Sequence, residues 1–494
     1  MEVLSKVILE DLRRSGRIEV PDAALLEFKE KVIQFGTGVL LRALPDYYID
    51  QANKNGAFQG RVVVVKSTDK GDTGAYSRQN MLYTQAIRGI VNGKVYEKDI
   101  INASISRVLS AQLQWALVLA CAVEPSIEIL ISNTTEQGLV YKEEKIVKGY
   151  CPDSFPAKLT VYLYERFIHF QASTDKGLIV IPTELVEHNG DKLKQFVLDL
   201  ARYNELGLDF EQWIEKSNVF CNSLVDRIVP GRPQNDLYDT LTDKLQYKDE
   251  LLIMSEPYHL WAIEGGDTVK HKLAFATQDS GIKIVPDITL YKELKLRLLN
   301  ATHILACGKA IKEGYPTVKL AMQQEDFKDW IKSLMSEISI CIPVEIEEDI
   351  IHQFAEAVLD RFSNPYIEHF WKDITLNYTD KIKARVIPLI YKHIEKHQQL
   401  PVHCTEGLAY YFYLLFHIRL QQHALMVSMP DVPEFELRDP KAGKILEDFA
   451  AQSPAIAIRH WLSKEQIWGS NLADIPGFAD AIYNQFRSLT DGPH

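Results

Sequence analysis

Four short aliphatic runs constrain this chain most: VIQF at 32–35, VVVV at 62–65, IEILIS at 127–132 and LIVIP at 178–182. A strand with one wet face alternates apolar and polar residues, whereas continuous β-branched runs belong to a parallel sheet covered on both faces. Parallel neighbours need crossover connections, and the amphipathic stretches between the runs supply them, so residues 31–190 are expected to build a doubly wound α/β domain. After about residue 285 the strand signals stop. Helical periodicity then dominates, at 292–313, 326–338, 346–361, 379–396, 406–420 and 476–488. The expected architecture is α/β plus α: a Rossmann-like doubly wound sheet domain over 1–285, then a mainly helical domain over 286–494. A length of 494 residues suits two hydrophobic cores.

The net charge of −12 argues against nucleic acid or an anionic membrane as partner, since either would require a basic face. It leaves room for a small anion held in a local Arg/Lys pocket. The six cysteines have no C-x-x-C spacing, and no H-E-x-x-H or H-x-H occurs, so no metal is expected. Glu256-Pro-Tyr-His259 comes nearest to a ligand cluster and reads as structural. The N-terminus MEVLSKVILEDLRRSGR is charged where a signal peptide needs an apolar core, and the longest apolar run, 115–123, is too short to span a bilayer. A cytoplasmic location is the simplest expectation. Periodicity reveals no interface, which leaves monomer or homodimer open.

The first run leads through Phe35 into Gly36-Thr37-Gly38, with Val39-Leu40-Leu41-Arg42 opening a helix. In this layout glycines let backbone amides approach a pyrophosphate. The third glycine of G-x-G-x-x-G is replaced by Leu41, and Arg42 could add charge toward a phosphate. At the end of the second run, where an acid would hold a ribose hydroxyl, the chain has Lys66-Ser67-Thr68, with Asp69 following. Lys66 could face a 2′-phosphate, so NADP(H) stands beside NAD(H) as a cofactor. Ser132-Asn133-Thr134-Thr135-Glu136 ends another run, where open α/β sheets bind ligands. Asn133 and Thr134 could touch the cofactor, or simply cap a helix.

In KLRLLNATH, a helix at 100° per residue puts Lys295, Asn300 and His303 near 0°, 140° and 80° on a largely apolar wheel. A buried ammonium tends toward a lowered pKa, which suits acid/base chemistry near neutrality. Equally, Lys295 could snorkel, with Asn300 and His303 as satisfied core polars. Asn189 in EHNG, with Asn222, Asp226 and Arg227 in FCNSLVDRIVP, could converge on a cleft, or form a turn and an ion pair. Arg361, Lys381 and Arg385 add cations to the helical region, where surface solvation would explain any one of them.

In this order, VIQFGTGVLLRA, SNTTEQG, PTELVEHNG, FCNSLVDRIVP, YKELKLRLLNATH and RFSNPYIEH resemble the polyol-specific long-chain dehydrogenases, the mannitol dehydrogenase family, over about residues 31–390. The resemblance implies an NAD(H)-dependent oxidoreductase working without a metal, with its active site between the two domains. It implies Lys295 as general acid/base, matching the lysine of K-x4-N-x2-H, with Asn300 and His303 beside it. Asn189 matches an asparagine that donates to the reacting oxygen, and Asp226 the aspartate of the VDRI segment. Mannitol-type members carry an arginine eight residues before the position of Lys381, and this chain has Asp373 there. A hexuronate/aldonate pair is the substrate class implied, its carboxylate meeting Arg361, Lys381 or Arg385. Alternatives within the chemistry are another ketohexuronate or a neutral ketose. From another class, the alternative is a catalytically silent nucleotide-binding protein.

Overall fold

The structure is a computed structural model describing residues 1–68, 71–134 and 137–491. Asp69, Thr135 and Glu136 lie outside the described residues. The chain forms two compact units, one of residues 1–88 and 95–288, the other of 89–94 and 289–494.

The first unit is built on six parallel strands: β1 (Glu30–Phe35), β2 (Arg61–Lys66), β3 (Ile105–Ser110), β4 (Ile129–Ser132), β5 (Ile179–Pro182) and β6 (Val219–Phe220). Their order across the sheet is β3-β2-β1-β4-β5-β6, that of the dinucleotide-binding fold. The register pairs Phe35 with both Val65 and Ser132, and Ser132 with Pro182, which aligns the carboxyl ends where such sheets bind ligands. Val32, Val62, Val64, Ile129 and Ile131 join one core with Tyr48 and Trp261. Ile33, Phe35, Val63, Val65 and Leu130 join another with Tyr162 and Trp213. Both faces of the sheet are therefore dry, and the runs lack a polar alternation for that reason; the one amide within them, Gln34 of β1, is buried and donates to Asp46.

β3 escaped the sequence pattern because it is an edge strand of mixed polarity. Its Arg107 Nε and Nη2 donate to Glu30, at 2.9 and 2.8 Å. Two further three-stranded sheets, one holding Tyr83–Val91 and Lys94–Asn102 with Ile253–Ser255, the other Ser223–Asp226 and Leu260–Glu264 with Ile282–Val285, were not anticipated either.

The second unit is mainly helical. It begins with a six-residue helix Thr289–Leu294, a π-helical turn Lys295–Ala301 and a helix Thr302–Lys312. Two corrections to the sequence reading follow. The helix expected at 406–420 runs instead over Val402–Phe416, and the chain continues into an antiparallel sheet of Ile418–Gln421, Ala424–Met429 and Val432–Glu436. The first hairpin turns at Gln422 and His423, both with positive φ (46° and 70°). That geometry is usually announced by Asn-Gly, so this turn gave no signal. The helix expected at 379–396 is two helices, Tyr378–Arg385 and Ile387–His397, because Pro388 has no N–H to continue the ladder. Among the described residues no helix is long and apolar enough to cross a membrane.

Candidate active site

In the first unit the turn after β1 depends on two glycines in different ways. Gly36 has φ +131°, and a Cβ there would lie 2.8 Å from the Asn133 carbonyl oxygen and 2.8 Å from Leu41 Cδ1. Its N–H donates to Val65 O at 3.0 Å, and Asn133 N–H donates to Phe35 O at 3.0 Å, so the turn is sewn to the ends of β2 and β4. Gly38 is exposed, and a Cβ there would meet nothing within 4 Å. Together with half-buried Thr37, it leaves open backbone at the carboxyl end of the sheet. That shape fits the pyrophosphate of a dinucleotide.

Two neighbours are corrected. Leu41 is fully buried in the core and fills the space that a third glycine would open, so it supports the turn and does not face a ligand. Arg42 is buried too, with Nη1 donating to Leu251 O at 2.6 Å and the guanidinium 5.3 Å from the Tyr83 ring, so its charge is committed to the fold. Lys66, at the end of β2, donates to Gly71 O at 2.5 Å.

The loop after β4 is held by a carboxylate that the sequence reading did not single out. Glu184 accepts from Ser132 Oγ, Thr134 N and Thr134 Oγ1 at 3.1, 2.9 and 3.1 Å. Burial pushes its carboxyl pKa up. Asn133 Nδ2 donates to Thr183 O and Oγ1 at 3.1 and 2.9 Å. Asn133 and Thr134 are thereby fixed, partly accessible, beside the glycine turn.

Asn189, first residue of the helix Asn189–Tyr203, is 1% exposed. Its Nδ2 donates to the carbonyls of Pro182, Glu184 and Ser223 at 3.1, 3.0 and 3.0 Å, and its Oδ1 accepts from Gly190 N and Ser223 N, both at 2.9 Å. An amide has only two hydrogens to donate. The expectation that Asn189 donates to the reacting oxygen is corrected: its amide ties three backbone segments together. Asn222 does similar work, accepting from Gly190 N and Asp191 N at 3.0 and 3.1 Å and donating to Asp191 and Glu264. Asp226 is buried at the end of its strand. Arg227 donates to the carbonyls of Ala43 and Glu256. Both ring nitrogens of His259 face acceptors, Pro257 O at 2.6 Å and Asp279 at 3.0 Å, in keeping with a structural role.

In the second unit, Lys295 and Asn300 are half-buried and His303 is buried. The π turn changes the expected wheel. At roughly 80° per residue through 295–301 and 100° beyond, Asn300 and His303 fall roughly 40° to either side of Lys295, so the arc holding all three shrinks from about 140° to about 80°. Single π turns inside helices often occur at functional sites, and here one puts amine, amide and imidazole on one face.

His303 lies against a cationic group. Burial and, after it, the nearby His369, Arg361, Arg385 and Lys381 push its pKa well below the ordinary imidazole value. Its Nε2 is buried without a hydrogen-bond partner among the described residues. His369 is lowered as well, mainly by burial, and its ring lies edge-on to His303 with centroids 4.9 Å apart. Lys381 Nζ donates to Ile374 O at 3.0 Å, and its pKa is depressed by burial and by Arg385. Arg385 is depressed by burial and by Arg297. Arg297, which sequence reasoning missed, pairs with Glu293 at 2.8 Å and donates through Nη1 to Ala384 O and Arg385 O at 3.0 and 2.8 Å. It thus caps the helix carrying Lys381 and Arg385 from within the π turn. Asp373 pairs with Arg438 at 2.8 Å.

A sheet in dinucleotide-binding order with a glycine turn at its carboxyl end, followed by a helical unit bearing a lysine, an amide and an imidazole on one face, defines the class of two-domain dehydrogenases. The family model for the mannitol dehydrogenase Rossmann domain matches residues 30–277, and that for the mannitol dehydrogenase C-terminal domain matches 287–490. The chain belongs to the mannitol dehydrogenase family, and is accordingly a dehydrogenase acting on CH–OH groups. It is 34% identical over 459 residues to an altronate oxidoreductase of Bacillus subtilis, covering 92% of each chain. It is 35% identical over 481 residues to an altronate oxidoreductase of Halalkalibacterium halodurans, covering 94% of this chain and 92% of that one. Among solved structures, it is similar to a substrate-free D-sorbitol dehydrogenase (TM-score 0.79, 18% identity, 99% and 98% of the two chains). It is also similar to Pseudomonas fluorescens mannitol 2-dehydrogenase in ternary complex with NAD and D-mannitol (TM-score 0.68, 19% identity, 99% and 97%). These two likenesses are of fold.

Proposed function

We propose that the protein interconverts D-tagaturonate and D-altronate with NAD(H), in the cytoplasm, with Lys295 as general acid/base. The observation that carries the choice of an acid sugar is the gathering of Arg361, Lys381 and Arg385 near His303 within one helical unit of a protein whose net charge is −12. Cations forced together in this way, with Lys381 and Arg385 depressed by burial and by neighbouring positive charge, are relieved by an anion. A hexuronate carboxylate is such an anion, and guanidinium and ammonium groups bind it through charge-assisted hydrogen bonds. The relatives named altronate oxidoreductase at 34–35% identity support the same substrate pair.

The open backbone at Gly36-Thr37-Gly38, with Asn133 and Thr134 beside it, would hold the dinucleotide, which when bound supplies or accepts the hydride. In the reductive direction protonated Lys295 gives its proton to the oxygen of the ketone carbon. In the oxidative direction the neutral amine removes the hydroxyl proton. Asn300, rather than Asn189, donates to that oxygen as negative charge grows on it. His303, held neutral, offers Nε2 to a substrate hydroxyl, relieving a buried polar atom whose unpaired state costs about 1–3 kcal/mol. Asp226 remains a candidate substrate contact by resemblance.

The test is NADH consumption with D-tagaturonate, D-fructuronate and D-fructose, each at matched concentration. Tagaturonate should be preferred. Preference for fructuronate would reassign the uronate, consumption of fructose alone would contradict the carboxylate reading, and NADH binding without turnover of any of the three would indicate a silent nucleotide-binding protein.

A further inference from the structure

The cysteines and histidines show no metal-ligand spacing along the chain, yet the fold collects three of them. Cys341 lies two residues beyond the helix Glu325–Ser339, and His393 and His397 are four apart on the helix Ile387–His397. One ligand atom from each lies within 4.8 Å of the other two. Residues four apart share a helix face, which is how paired histidines commonly grip one ion. Cys341 and His393 are buried and His397 is exposed, so the cluster has a wall and a mouth.

A second observation points to a ligand. The Nδ1 of His393 lies 2.9 Å from Gln399 O. A carbonyl only accepts, so Nδ1 carries the proton, and the neutral imidazole then keeps its lone pair on Nε2. Metal-binding histidines are oriented by this same kind of bond to a backbone carbonyl. The His393 and His397 rings stand 4.8 Å apart by centroid with planes at 47°, not stacked on one another. Lys396 donates to Ile340 O at 3.1 Å, which holds the segment before Cys341 against the same helix.

We propose that Cys341, His393 and His397 bind a thiophilic divalent cation of the Zn²⁺ type, with water as the fourth ligand. A thiolate and two imidazoles favour Zn²⁺, Co²⁺ or Cu²⁺ over Mg²⁺ and Ca²⁺. Tetrahedral zinc with bonds of about 2.0 Å to nitrogen and about 2.3 Å to sulfur needs ligand atoms roughly 3.3–3.6 Å apart, so the cluster closes by about 1 Å on the ion. His397, in the last turn of its helix, has room for that movement. On binding, the Cys341 thiol loses its proton to solvent as the metal–sulfur bond forms, and no electron changes hands. None of the three residues belongs to the proposed dehydrogenase machinery. The ion would clamp the segment after one helix to the end of another.

The test is a Co²⁺ titration of the full-length, chelator-treated, reduced protein. One equivalent should bind with a thiolate-to-cobalt charge-transfer band and the visible bands of four-coordinate cobalt, and Zn²⁺ but not excess Mg²⁺ should displace it. Cys341→Ser should abolish the charge-transfer band. His397→Gln, at an exposed position, should weaken Co²⁺ binding at least tenfold. Absence of the band in the wild-type protein, its persistence in Cys341→Ser, or unchanged affinity in His397→Gln would each overturn the proposal.

Discussion

His303 and Phe362 lie face to face, ring centroids 3.9 Å apart and planes 9° from parallel. The stack holds the imidazole where burial and the neighbouring positive charges keep it neutral. A consequence for stability follows. The unfolded histidine takes up a proton below about pH 6.5 and the folded one does not, so between that pH and the lower folded pKa the unfolded state binds more protons. The contribution of His303 to stability should therefore fall on acidification through this window, by up to about 1.4 kcal/mol per pH unit for such a group, with His369 adding to it, while the buried carboxyls of Asp46, raised to about 7, and Glu184 act in the opposite sense. Urea denaturation from pH 7.5 to 5 reads it as a difference: His303→Asn should lose less stability on acidification than the wild-type protein does. An equally steep slope in the variant would contradict this account.

Asn189→Ala should behave as a fold mutation. It removes bonds to Pro182, Glu184, Gly190 and Ser223; Pro182 O, Glu184 O and Gly190 N keep bonds to Ser223 Oγ, Val186 N and Asn222, whereas the buried Ser223 N–H loses its acceptor, at about 1–3 kcal/mol. A loss of about 1–3 kcal/mol in urea unfolding is expected. Full stability with a selective loss of turnover would return Asn189 to the chemistry.

The two glycines of the turn should separate fold from cofactor. Gly36→Ala puts a methyl on the Asn133 carbonyl at a backbone angle that L residues rarely adopt, and should lower both Tm and NADH affinity. Gly38→Ala meets no protein atom and has an ordinary φ of −63°, so Tm should hold while NADH Kd rises about tenfold or more, the range for one lost backbone contact. Unchanged NADH affinity in Gly38→Ala would remove this turn from the cofactor site.

Much of this was readable in the chain, for identifiable reasons. β1, β2, β4 and β5 are dry on both faces, so their runs are apolar without alternation apart from Gln34, and the glycine turn follows β1 without interruption. The parts that were not readable depend on distant backbone. Asn189 is occupied by three carbonyls from two segments, at 182–184 and 223, and Arg42 by Leu251 O more than 200 residues away. Glu184 and Arg297 act by holding other site residues, and neither carries a local signature. The π turn at 295–301 has the composition of any buried helix, so the α wheel placed Asn300 too far from Lys295.

Lys381→Met should reveal whether the cations read a carboxylate. A charge-assisted bond contributes about 1.5–3 kcal/mol, so kcat/KM for tagaturonate should fall about 10- to 150-fold, with a much smaller change for a neutral ketose. Equal losses on both substrates would mean that Lys381 supports the site without recognising the acid.

Single-turnover oxidation of bound NADH by D-tagaturonate in Lys295→Ala isolates the proton transfer assigned to Lys295. NADH affinity should stay at the wild-type level while the rate of the chemical step falls about 10²- to 10⁴-fold, the contribution of a positioned acid/base. A step within a few-fold of wild type would contradict the account.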